Sequence, residues 1–205
     1  IGLSGDGGAA TRVRDVASAL VALVCLVGLV TSFVRRSSGN ERFPVVLDIV
    51  PFVIGLVGLV AAGVDAGGAD GTAIVRTVVG AVFLGFVSDA MLLGHWYLVQ
   101  PGLPRRHVND IVRAFLWVWP AEVIVMVVPT GMFSVFSGAV DDGWSGQLGW
   151  FWATCAVTTG VLGVVTLRAL KERSYSAVMA ATGLMYLAIL TAFGTDLVAR
   201  AVLAG

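Results

Sequence analysis

The sequence predicts an all-α, polytopic integral membrane protein, a single transmembrane domain over residues 1–205 folded as a six-helix bundle. Three observations predict it. Hydrophobic residues make up 58% of the chain and charged ones only 13%, with a mean hydropathy of +0.92. A soluble domain so poor in charge would expose large apolar patches to water and aggregate, whereas lipid solvates the same surface. Apolar runs of the length that crosses about 30 Å of hydrocarbon recur along the chain, and six can be drawn. Basic residues, finally, are sorted into alternate connections, the signature of a fixed orientation in a membrane.

The first span, 13–34, ends at Arg35 and Arg36 and is too long for the apolar core of a signal peptide. The second, 44–63, carries Asp48 one turn in, with Pro51 three residues on. Proline has no amide hydrogen, so the carbonyl of Leu47 is left without its helix donor beside that carboxylate. The third, 73–99, is longer than a bilayer requires and must tilt or project. The fourth, 108–130, holds Glu122 between Pro120 and Pro129; the fifth and sixth run over 148–170 and 176–203. Period-two alternation with regular turn signals is absent, which excludes a transmembrane β-barrel.

Three connections are basic. They carry Arg35, Arg36 and Arg42, then Arg105 and Arg106 with Arg113 just inside the next span, then Arg168, Lys171 and Arg173. The other two hold Asp65, Asp70, Asp141 and Asp142 and no Arg or Lys. The positive-inside rule then places the basic connections in the cytoplasm and both termini outside a cell (inner or plasma) membrane. Arg12 and Arg14 run against this at the outer end of the first span. Nine basic residues outweigh them.

Close helix contacts in lipid use small residues. Candidate stripes are Gly58 and Ala62, Ala81 and Gly85, Ala156 and Gly160 with Thr159 and Gly163, and Ala188 and Ala192. Trp96, Trp144, Trp150 and Trp152 fit an interfacial aromatic belt. Cys25 and Cys155 each lie within an apolar run and read as small buried hydrophobes.

Ionisable residues inside a span are costly and are functional candidates by default. Asp48 could form a polar pocket with the freed carbonyl, or simply reach the headgroups or an arginine. Asp89 continues the Ala81–Gly85 stripe and is expected to face the bundle interior. Glu122 is the deepest acid. Buried without a cation it is expected to be neutral, serving as a hydrogen-bond donor, a proton relay or a quinone contact. Asp196 and Arg200, four apart, read as an i,i+4 ion pair, and Asp141 and Asp142 as a solvated turn.

The run Gly94-His95-Trp96-Tyr97-Leu98, followed by a Pro101-Gly102-Leu103-Pro104 turn and by Arg105 and Arg106, is the most distinctive string. His95, Trp96, Tyr97, Arg105 and Arg106 could contact a quinone, a haem, a headgroup or a partner subunit. A membrane haem normally takes two axial ligands on opposed helices. The second histidine, His107, lies beyond the turn, so no ligand pair supports haem. No metal-spaced Cys/His set, phosphate loop or nucleophile motif is present. No metal or catalytic residue is assigned, and nothing suggests nucleic acid.

Three roles follow as expectations. The first is a non-catalytic subunit of a larger membrane complex, of respiratory or other electron-transfer and energy-transducing kind, meeting other integral subunits and bound lipids. The second is a small proton-coupled transporter or channel using Asp48, Asp89 and Glu122. The third is a redox protein with haem or quinone near His95.

Overall fold

A computed structural model describes residues 8–37, 45–67, 71–100, 104–128 and 131–203, the side chains of residues 36, 37 and 48 excepted. Arg42, Asp70, Pro129 and the Pro101-Gly102-Leu103 part of the predicted turn lie outside the described residues. All regular secondary structure among the described residues is α-helical: α1 (Ala9–Ser37), α2 (Val46–Gly67), α3 (Gly71–Val99), α4 (Arg106–Val127), α5 (Gly131–Phe136), α6 (Gln147–Ala169) and α7 (Tyr175–Leu203). Five of these, α1, α2, α3, α6 and α7, contain stretches long and apolar enough to cross a membrane. The chain is therefore a multi-pass helical membrane protein in contact with the bilayer. The predicted fourth span, α4, is 22 residues long but carries Arg106, Asp110, Arg113 and Glu122, and is not one of the five.

The chain divides into two compact units, residues 1–78 and 79–205. In the first, α1 and α2 pack antiparallel. Gly58 lies against Ala17 and Gly55 against Val21, while at the far end Arg14 pairs with Asp65 and Thr11 donates to Asp65 at 2.5 Å. Arg14, one of the two arginines that ran against the charge rule, is thus neutralised locally, with Asp15 also 2.9 Å away. The α2 contact uses buried Gly58 as expected, but Ala61 rather than Ala62 is its buried neighbour.

In the second unit α4, α6, α7 and the part of α3 from Val79 onward share a core. Phe83, Val87 and Ala90 of α3 meet Val112 and Phe115 of α4 and Met185, Ala188 and Ala192 of α7. The Phe83 and Phe115 rings stack with centroids 5.8 Å apart. Helices α4 and α6 are antiparallel: a Cβ on Gly163 would lie 2.7 Å from Phe115, and one on Gly160 2.7 Å from the Trp119 ring. The same indole donates to the Ala156 carbonyl at 2.9 Å. Helices α6 and α7 meet through Cys155 against Gly194 and through the Thr159 and Thr191 hydroxyls, 2.7 Å apart. The small-residue stripes of α6 and α7 are therefore buried as expected, and so is Cys155, whereas Cys25 is exposed.

The α3 stripe is corrected. Gly85 is exposed with nothing within 4 Å of a Cβ built there. The buried face is Gly80, Phe83, Val87, Ala90, Gly94 and Tyr97, because large side chains of α3 fill the spaces beside the small ones of α7. Trp152 is a second correction. It is buried in a cluster with Met126, Met132 and Ala199, whereas Trp96, Trp144 and Trp150 are exposed as a belt would require.

The connection before α6 is more structured than a solvated turn. Gly131, Met132 and Val135 of the short helix α5 are buried, and Gly143 and Gly146 take left-handed backbone conformations that glycine adopts without penalty. Asp142 accepts the amides of Trp144, Gly146 and Leu148 at 2.8–2.9 Å, which satisfies donors at the start of α6 that the helix itself leaves open. These amides, Gly146 foremost, hold its carboxyl below the usual aspartate value of 3.8. A depressed folded value means the stabilisation is complete above that ordinary value and is lost as pH falls below it towards the folded one. Asp142→Ala is thus expected to lower the thermal midpoint at neutral pH, with the gap to wild type closing in acid. A gap unchanged by acid would exclude this cap.

Candidate functional site

Among the described residues of the second unit Glu122 is the most deeply buried acid, with no accessible surface. It lies on the same face of α4 as Phe115 and Met126, both fully buried, so the helix that packs those residues inward carries the carboxyl inward too. Neither carboxyl oxygen has a hydrogen-bond donor. Helix α7 brings Asp196, 7% exposed, and Arg200 to the same place. The Arg200 Nε lies 2.8 Å from both oxygens of Asp196, the expected i,i+4 pair. Both groups lie within electrostatic reach of Glu122, with opposite sign. Helix α3 closes the cluster with backbone: a Cβ on Gly80 would stand 2.5 Å from the Asp196 Oδ1 and collide with the Arg200 guanidinium. Any larger residue at this position would force the two side chains to shift.

The predicted acids do not converge. Asp89 is exposed on α3, one position before buried Ala90 and away from the interior face, a consequence of the shifted contact stripe. The side chain of Asp48 lies outside the described residues, and its helix belongs to the other unit. Glu122 instead meets Asp196, which the sequence placed only in a local ion pair. The two are 74 positions apart on different helices, and spacing carries no signal of that kind.

The His95 segment is split by the fold. His95 and Trp96 are exposed, and the Trp96 indole donates to the Gln100 side chain at 3.1 Å. Tyr97, expected beside Trp96 as an interfacial contact, is 4% exposed, and its hydroxyl donates to the Pro104 carbonyl. Arg105 donates to the carbonyls of Glu172 and Ser174 at 2.8 and 3.1 Å, and Tyr175 donates to the Leu98 carbonyl at 3.1 Å. These bonds tie the end of α3 to the α6–α7 connection, where the Ser174 hydroxyl caps α7 by accepting the Ala177 amide. Arg106 remains at the surface, paired with Asp110 at 3.5 Å. Among the described residues no three His, Cys, Asp or Glu side chains gather as metal ligands.

Comparison with family models, curated proteins and solved structures finds no match.

Proposed function

We propose that the protein is a non-catalytic, multi-pass subunit of a larger membrane complex of electron transfer or energy transduction, with α4 as a sixth span. The observation that carries this reading is the openness of the first unit. Only 11% of the residues in the most apolar stretch of α1 and 17% in that of α2 are buried, against 39% in α6 and α7. A helix pair that covers so little of itself offers long apolar faces to neighbouring helices. Residues at the basic end support the same reading: Arg105, Tyr97 and Tyr175 serve local structure, leaving His95, Trp96 and Arg106 at the surface for a partner. The sixth span is supported by Trp117, 83% exposed, and Ile124, 59% exposed, which give α4 an outward apolar face. The charge sorting orients the basic connections inward.

Purification from the native membrane in mild detergent is expected to bring defined integral partners in fixed ratio. His95→Ala should loosen them while leaving the protein inserted. Isolation of the chain alone, from a membrane that contains it at native level, would overturn the subunit reading.

Glu122 favours a second reading, in which the protein handles protons. An acid that is fully buried beside a second carboxyl and a guanidinium is a place where a proton can be held and released within a membrane. Asp89, exposed, drops out of that route.

A further inference from the structure

We propose that the groove between α4 and α6 is a binding site for one anionic phospholipid of the leaflet at the basic end, its acyl chain in the groove and its phosphate on Arg168. The open groove has a volume of about 520 Å³ and is lined by apolar side chains, among them Trp119, Pro120, Val161 and Val164, with Arg168 the one charged residue among the described lining. That volume lies within the about 300–1,000 Å³ of small-molecule sites. Its floor is fixed. The Trp119 indole is held by its bond to the Ala156 carbonyl and lies against Gly160, where a side chain would occupy the same space.

Length and charge identify the occupant. On α6 the lining runs from Val157 to Arg168, about 16 Å at the helical rise per residue. That is roughly half of the about 30 Å hydrocarbon core, the depth of one leaflet. The groove thus begins near mid-membrane and ends at the level where Arg168 and Lys171 emerge. Among the described residues Arg168 has no acidic partner, unlike Arg106 and Arg113, which both pair with Asp110. A guanidinium without a carboxylate, at the open end of an acyl-sized groove, fits a phosphate bearing net negative charge. A zwitterionic headgroup cancels much of that attraction, and an uncharged quinone forfeits it.

The test is native mass spectrometry of the full chain, released from mixed micelles containing equal amounts of phosphatidylglycerol and phosphatidylcholine. Wild type is expected to retain one phosphatidylglycerol with about tenfold preference, the worth of one hydrogen bond to a charged group. Arg168→Gln should bring the preference near unity. Val164→Phe, at an exposed rim position, should lower occupancy by both lipids. Arg106→Gln should change nothing. Equal retention of the two lipids by wild type would overturn the site, and so would a preference that survives Arg168→Gln. Equal loss in Arg106→Gln would place the selectivity in the basic rim at large, which also excludes the groove.

Discussion

Replacing Arg200 with glutamine is expected to destabilise the second unit by about 2–3 kcal/mol. Removing one partner of a buried ion pair costs about 3–5 kcal/mol because it strands the other charge. Arg200 is 35% exposed, so solvent reduces that figure. The loss falls on two acids at once, Asp196 and Glu122, since the one guanidinium offsets both. The double variant Arg200→Gln/Asp196→Asn should recover most of the stability, because the buried charge is removed with its partner. Glu122→Gln should be nearly neutral, as its amide supplies the donor that the carboxylate lacks. Denaturant unfolding in a fixed detergent measures all three. If Glu122→Gln unfolds the unit while Glu122→Asp does not, a charged Glu122 is holding the fold, and the proton-handling reading loses its ground.

The second large effect is at the α4–α6 contact. Gly160→Ala and Gly163→Ala should each cost about 1–3 kcal/mol, the usual penalty of overpacking. Their new methyl groups would stand 2.7 Å from the Trp119 ring and from Phe115. Neither neighbour can yield cheaply: Trp119 is hydrogen-bonded to Ala156, and Phe115 is fully buried in the shared core. Gly85→Ala is the contrast. Nothing lies within 4 Å of it, so alanine should be neutral or stabilising by up to about 1 kcal/mol through helix propensity. Thermal unfolding of the three variants separates them; equal behaviour would mean that the α4–α6 helices do not approach as described.

This contrast marks how far the sequence could be read. Apolar runs and charge sorting reveal a multi-pass helical protein because a bilayer imposes length and composition directly on the chain. Helices α6 and α7 present their small residues on one face in repeated i, i+4 steps, and those faces are buried. On α3 the same rule selected Ala81 and Gly85 and failed. That helix contributes Phe83 and Val87 as the large half of the contact, with Gly80 and Gly94 admitting Arg200 and Thr182. Small residues mark a close approach but not which side of a helix makes it. The error carried Asp89 inward with it. Asp196 and Arg200 were legible because a helix fixes their spacing, whereas Glu122 meeting them depends on how two distant helices pack. Helix α5 escaped notice because its six residues are too few for any period to register.

Sidedness of single cysteines tests the proposed topology most directly, in a background of Cys25→Ser and Cys155→Ala. Arg106→Cys and Asp141→Cys flank α4, and Lys171→Cys lies beyond α6; all three positions are exposed. On intact cells a membrane-impermeant thiol reagent should label Asp141→Cys at once, and label Arg106→Cys and Lys171→Cys only after permeabilisation. Labelling of Arg106→Cys and Asp141→Cys from the same side would show that α4 does not cross, and the six-span account would fail.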